Sequence, residues 1–544
     1  MTASTSGGIG WKARGRSGVV AAGDADAVAA GSRILENGGN AADAAVATIL
    51  ALNVTDHGQC SIGGEVPLLI YSANSRKVTA LSGQGRAPLS PDAIDWYMEN
   101  GIPGGGDIKM APVPSVVDLC TTTLQRYGTL SFEKSVEPAL RLLDAAEEPW
   151  CPKLARTLRR MVEEEADASG NREEKIQAAS DRFYGRGERD DIATELENYY
   201  VEQGGFLRKE DLAAHRTKIE EPVTIRYRDH TVCKCGPWTQ GPVLLQALKL
   251  LEGFDLNSMK PFSADHIHTA TEAMKLAMAD RDTYYGDPDF VDVPLNALLS
   301  DRYTRLRRPL IDTEKASLEV RPGDPIEMKA IKETGQMRPG PGGTTTCVVA
   351  DRWGNVVAAT PSANVPAEPR DGGQAGVTFG NRLRSFNTTP GHPNRIEAGK
   401  RPRITLTPTL VLKNGRPIMA ISVAGGDLQD QVTLNLLLDV IDFDMDPEAA
   451  VTAPRFATGH HQDSFDPNGN RSQTYKGLGS LRVNRDVGKA TAEELSHRGH
   501  RIDLTTSRIG APCMLCIDPS DGTFRVAGDP GMGRHAAGLP EKKT

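Results

Sequence analysis

The sequence predicts an α/β fold in which strand hairpins lie between helices, an arrangement that suits a four-layer αββα sandwich. Three observations predict it. Short strands at 348–351, 410–413 and 418–423 adjoin the turns Gly354-Asn355 and Asn414-Gly415, whose residues suit the φ > 0 positions of hairpin loops. Helical stretches rich in alanine and leucine precede and follow them, as at 243–251 and 429–440. No linker or shift of composition divides the 544 residues into independent domains.

Residues 18–53 are small and apolar, and Gly38-Gly39-Asn40 punctuates them. Ala41-Ala42-Asp43-Ala44-Ala45-Val46-Ala47 then opens a helix whose alanines allow close packing against a sheet. A turn-rich loop at 57–64 precedes a strand at 66–71. Residues 130–220 read as amphipathic helix, with the charged run 156–191 as a solvated face. Gly236-Pro237-Trp238-Thr239-Gln240-Gly241-Pro242 leads into the helix 243–251, and a helix at 274–285 stops at Gly286-Asp287-Pro288. A further strand is expected at 377–386. After the strand 418–423, Ala424-Gly425-Gly426-Asp427 runs into the helix 429–440, and short strands at 510–527 close the chain.

The formal charge of −8 excludes a nucleic-acid partner that needs a basic face. No apolar run is long enough to span a membrane, and the first ten residues lack the apolar core of a secretory signal, so a cytoplasmic protein is expected. Its eight cysteines are too few for a disulfide framework in so long a chain. Cys233-x-Cys235 and Cys513-x-x-Cys516 sit in apolar strand patterns rather than in matched metal-ligand pairs, and read as small core residues. His266-x-His268 falls in a helical pattern without a carboxylate at ligand spacing, and His460-His461 reads as a solvated loop. No metal and no organic cofactor are implied.

The stretch from Met337 to Gly343, Met-Arg-Pro-Gly-Pro-Gly-Gly, holds neither helix nor strand. It feeds Thr344-Thr345-Thr346-Cys347 at the start of a buried strand. That arrangement suits cleavage of the Gly343–Thr344 bond and use of the new N-terminal threonine as a nucleophile. A threonine hydroxyl needs an adjacent base, and its own α-amine, with an ordinary pKa near 8, can be that base. Gly343 lets the hydroxyl approach its carbonyl closely. Gly425-Gly426, between a strand and a helix N-terminus, reads on spacing alone as a tight turn or as a pair of backbone N–H groups offered to a developing oxyanion.

The segment 344–364, with Thr360-Pro361-Ser362-Ala363-Asn364 on the return strand, resembles the nucleophile hairpin of the γ-glutamyltranspeptidase family of N-terminal-nucleophile (Ntn) hydrolases. The likeness continues through Asn40 and the helix after it, Gly286-Asp287-Pro288 and Gly425-Gly426, over nearly the whole chain. It implies the Ntn form of the αββα sandwich, with 1–343 and 344–544 as large and small segments of one interleaved fold. It also implies self-cleavage, an oxyanion pair at Gly425 and Gly426, and Ser362 and Asn364 as the groups that hold the nucleophile and the acyl group.

Departures from the family pattern fall in the specificity pocket. Gln84 stands where the family has the arginine that binds an α-carboxylate, and Arg86, two residues on, would face the same way in a strand. Ser385 replaces the acidic residue that takes the α-ammonium, with Arg382 and Arg384 beside it. Thr405 lies in the place of the second of paired serines, Thr346 replaces a histidine, and Glu65 sits where a glycine is usual. A pocket without the ammonium's carboxylate and richer in arginine suits an acyl group carrying only a carboxylate. The function expected is therefore a self-processing amidohydrolase or acyltransferase acting on a small-molecule amide, as a heterodimer of its own segments or a dimer of such heterodimers. The alternatives are γ-glutamyl transfer with a rebuilt pocket, C–C cleavage beside a carbonyl, or an uncut, inactive binding protein.

Overall fold

The computed structural model describes residues 8–332, 344–363, 372–475 and 477–541. The stretch 337–343, including Gly343, and Asn364 lie outside the described residues.

All residues of the strands Gly18–Ala22 and Cys347–Asp351 are buried. Period-two alternation therefore sends neighbouring side chains into different cores. Val20, Ala22, Cys347, Val349, Val357 and Ala359 pack with the helices Ala25–Glu36, Ala41–Thr55 and Val116–Tyr127. Their neighbours Val19, Ala21, Val348, Ala350, Val356 and Ala358 meet Leu410, Ala420, Cys513, Leu515 and Val526 of a second sheet. The opposite face of that sheet, with Val411, Ile421, Met514 and Ala527, packs on the helices Pro242–Leu251, Ala264–Tyr284 and Gln429–Ile441. Helix, sheet, sheet and helix make the four layers expected. Cys233, Cys235 and Cys513 sit in the core between the sheets, as small apolar residues.

The first sheet runs His535–Leu539, Gly18–Ala22, Cys347–Asp351, Val356–Ala359, Val66–Ser72, Lys77–Gly83, Lys218–Glu220. The second runs Lys12–Gly15, Phe524–Gly528, Ala511–Ile517, Arg416–Ala424, Thr409–Lys413, His230–Lys234, Val223–Tyr227. Each sheet thus combines strands from before residue 343 with strands from after it. The two ends of the chain also meet, because Gly10 and Ala536 exchange backbone hydrogen bonds and His535–Leu539 lies antiparallel to Gly18–Ala22. Among the described residues, no helix is long and apolar enough to cross a membrane.

Local chemistry sets the element ends. Asn40 caps Ala41–Thr55 in a capping box with Asp43. Asn414 (φ 52°) and Gly415 (φ 74°) form the two-residue hairpin turn expected of them. The turn after Cys347–Asp351 differs from the expected one. It has four residues, 352–355, with only Gly354 at positive φ (88°), because Asp351 gathers the N–H groups of Trp353 and Asn355 onto its carboxylate. The strand expected at 377–386 is absent as well. That segment makes one bridge, Phe379 to Gly63, and then tightens into a 3₁₀ turn, Arg382–Ser385, as Arg382 reaches back to Glu65 and Ser362. The loop expected to be solvated at His460-His461 is buried. His460 Nδ1 accepts from the Gly479 N–H, and its Nε2 lies 3.0 Å from the Glu319 carbonyl oxygen.

Candidate active site

Thr344 precedes the strand Cys347–Asp351 and is 3% exposed. Its hydroxyl lies 3.4 Å from Ser362 Oγ. The next two threonines are fixed by their own contacts. The Thr345 N–H donates to the Pro361 carbonyl (3.0 Å), and its hydroxyl donates to Asp56 Oδ2 (2.6 Å). Thr346 Oγ1 meets Cys513 Sγ at 3.2 Å. Burial raises the Asp56 carboxyl above its ordinary range, while the Thr345 hydroxyl pulls the other way. Gly23 must be glycine here, because a Cβ would stand 2.0 Å from Thr345 Oγ1.

Behind Ser362 lies a buried ion pair. Ser362 and Glu65 exchange backbone hydrogen bonds (2.9 and 2.8 Å) as an antiparallel bridge. Arg382 Nη2 donates to Ser362 Oγ at 2.8 Å, and Arg382 Nε donates to Glu65 Oε1 at 2.6 Å. Arg382 is 1% exposed and Glu65 is fully buried. Burial raises the Glu65 carboxyl above its usual value, opposed by the Arg382 charge. The pocket expected from sequence has no carboxylate, with Glu65 only a departure from the family's glycine. The structure corrects that: Glu65 is a carboxylate one hydrogen-bond step from Ser362, and Arg382 holds it.

Phe465 joins this pair to the glycines. The Arg384 and Arg382 guanidinium carbons lie 4.5 and 5.6 Å from its ring centre, and a Cβ on Gly426 would sit 2.9 Å from its edge. Burial lowers Arg384 to about 10; the Arg382 charge adds to this and Asp463 opposes it. Gly425 (φ 145°) and Gly426 (φ 60°) follow the strand Arg416–Ala424 and open the turn into Gln429–Ile441. Their carbonyls accept from Leu428 and Gln429, which sets their own N–H groups at the head of the turn. Ser422, three residues before Gly425, is tied to the hairpin that follows Thr344: its Oγ lies 3.0 Å from Thr360 Oγ1 and donates to the Ala359 carbonyl.

The remaining expected residues are placed less directly. Ser385 is linked through Asn394, whose amide donates to the Ser385 carbonyl (2.6 Å) and accepts from the Arg403 N–H (2.7 Å). Arg403 reaches Ser464, beside Phe465. Gln84 Oε1, Ser385 Oγ and Thr405 Oγ1 are buried and have no hydrogen-bond partner among the described residues. The strand Lys77–Gly83 ends before Gln84, so the shared strand face expected for Gln84 and Arg86 does not exist. Arg86 is half-buried, and its Nη1 lies 3.5 Å from the Gly399 carbonyl. Sequence reasoning missed Asp56, Phe465 and the use made of Glu65. Glu65 alone left a signal, a lone charge in the otherwise neutral run 61–70.

A family model described as γ-glutamyltranspeptidase matches residues 27–147 and 146–539. The glutathione hydrolase proenzyme of Escherichia coli (strain K12) is 30% identical, over 95% of this chain and 91% of its own length. The acylase ACY 1 proenzyme of Pseudomonas sp. (strain SE83) is 29% identical, over 95% and 92%. Among solved structures, that of LmbA2991T421A superposes with a TM-score of 0.84 at 32% identity, covering 96% of this chain and 98% of its own. The cephalosporin acylase from Bacillus halodurans gives 0.80 at 26%, covering 99% and 98%.

Proposed function

Because this chain belongs to the γ-glutamyltranspeptidase family and is an Ntn hydrolase, we propose that Thr344 is its nucleophile and that it hydrolyses the amide of a small, carboxylate-bearing acyl group. The observation that carries this reading is the burial of the Thr344 hydroxyl against Ser362, with the Arg382 guanidinium next in line. Maturation comes first. Thr344 Oγ attacks the Gly343 carbonyl, the C–N bond breaks, and the nitrogen leaves as the threonine amine. Water then hydrolyses the resulting ester, freeing the hydroxyl and a Gly343 carboxylate. The segments 1–343 and 344–544 remain together as a heterodimer.

In turnover the α-amine takes the hydroxyl proton as Oγ attacks the substrate carbonyl, and it returns that proton to the leaving nitrogen. The N–H groups of Gly425 and Gly426 stabilise the oxyanion. Water hydrolyses the acyl-enzyme, and an amine occasionally replaces water. The relatives named proenzymes support the maturation step, and the acylases among them support amide hydrolysis.

The test is a denaturing gel with intact mass spectrometry, wild type beside Thr344→Ala. Two wild-type fragments, the smaller beginning at Thr344, with one uncut mutant chain, are expected. A wild-type chain that stays whole would overturn the proposal. One observation favours γ-glutamyl transfer as a second reading: Glu65 supplies a carboxylate, and its Oε2 has no hydrogen-bond partner among the described residues, so it is placed to take an ammonium. γ-Glutamyl anilide set against the anilide of a simple dicarboxylic acid separates the two.

A further inference from the structure

We propose that Arg382, braced by Glu65, is the seat of the acyl group's carboxylate, and that its closeness to Thr344 selects short dicarboxylic monoamides over glutaryl or γ-glutamyl ones. This rests on the reading of Thr344 as the nucleophile and adds the residue and the chain length.

Arg382 is buried, and its Nη1 has no hydrogen-bond partner among the described residues. Buried guanidinium N–H groups ordinarily find acceptors, and a carboxylate oxygen makes the strong, charge-assisted hydrogen bond that Nη1 lacks. The other two nitrogens are engaged: Nε donates to Glu65 Oε1, and Nη2 contacts both Glu65 Oε1 and Ser362 Oγ. Because Glu65 and Ser362 are also paired through their backbones, guanidinium, brace and nucleophile partner form one rigid unit. Glu65 therefore acts as a positioning residue, and Phe465 covers the guanidinium with an apolar ring, which strengthens its attraction for an anion.

Distance then fixes the substrate class. The 3.4 Å contact of Thr344 Oγ1 with Ser362 Oγ and the 2.8 Å contact of Ser362 Oγ with Arg382 Nη2 hold Nη2 within about 6.2 Å of the nucleophile. Nη1 lies about 2.3 Å further on at most, from C–N bonds of about 1.33 Å. An extended malonyl ester needs about 8 Å from the threonine oxygen to a guanidinium nitrogen, counting a hydrogen bond of about 2.8 Å. A glutaryl ester, or a γ-glutamyl ester measured to its α-carboxylate, needs about 10 Å and must fold back on itself to bind. Extended acids of two or three carbons stay within that limit, and longer ones exceed it.

The test is calorimetric titration of the purified wild-type protein with malonate, glutarate, L-glutamate and acetate. Malonate is expected to bind at least tenfold more tightly than the other three. Arg382→Met should weaken malonate about a hundredfold. Arg382→Lys, which keeps the charge but loses the fork, should recover only part of the malonate affinity, with the thermal midpoint reporting that each variant is folded. Glu65→Gln should weaken malonate less than Arg382→Met does. Equal affinities for malonate and glutarate in the wild type, tighter glutamate, or no malonate binding would overturn the proposal whatever the variants do. Because binding is read without turnover, such a result would leave the Thr344 reading to stand or fall on the cleavage experiment.

Discussion

Ser362 touches both the Thr344 hydroxyl and the Arg382 guanidinium, so its own hydroxyl sets how the two are placed. Ser362→Ala removes both hydrogen bonds without opening a large cavity. On the proposed role of Thr344, a fall in kcat/KM of about a hundredfold is expected on the scale of one lost charge-assisted contact and a misplaced hydroxyl. Ser362→Thr, which keeps the oxygen, should stay within about tenfold of wild type, and steady-state kinetics on one anilide substrate checks both. At this scale the sequence was partly legible. Thr344 and Ser362, singled out through the family resemblance of 344–364, do lie together in the structure. The pairing of Glu65 with Arg382 was not legible, because the two lie 317 residues apart and no local pattern encodes such a pairing. Arg86 misled for the opposite reason, since its role leaned on a strand that stops at Gly83.

The hairpin that follows Thr344 is held to its neighbours by Asp351. This carboxylate, at the end of Cys347–Asp351, accepts from the N–H groups of Trp353 and Asn355, from the Asn355 amide, and from the Ala41 N–H at 2.8 Å. The last contact sits at the positive end of the helix Ala41–Thr55, where a negative charge is favoured. Asp351→Ala strips four donors of their acceptor at one buried point, and a loss of about 3 kcal/mol is expected from urea unfolding. Asp351→Asn, able to accept with one oxygen, should lose less. The start of the helix Ala41–Thr55 and both ends of Gln429–Ile441 were readable from sequence to within a residue or two. The segment 377–386 was not, because its apolar text serves a single bridge and a turn shaped by a distant ion pair, and tertiary contacts overrode local propensity.

Across the whole molecule, acid is the expected weakness. His215 and His266 are buried in the fold, and burial lowers each to about 4; Asp118 opposes this at His215. A histidine depressed in the folded state stabilises the fold above its unfolded pKa near 6.5, and that stability is lost as the pH falls towards 4. Each costs about 1.4 kcal/mol per pH unit across that window. Asp430, raised by burial to about 6 despite Lys234, works in the other direction over part of it. Comparing urea midpoints of wild type and His266→Gln between pH 7 and pH 4.5 isolates one histidine, and the variant's stability should fall less steeply with pH by about that amount. The four layers were legible in outline because hairpins and helices alternate along the chain, whereas the burial of His460 and His461 depended on loops packed from elsewhere. The meeting of the two chain ends at Gly10 and Ala536 has a practical consequence. A circularly permuted gene, closing that gap with a short linker and opening the chain ahead of Thr344, would place the threonine at a start made by translation. On the proposed reading of Thr344, such a protein would need only loss of the initiator methionine and no internal scission, so maturation and turnover become separately measurable steps.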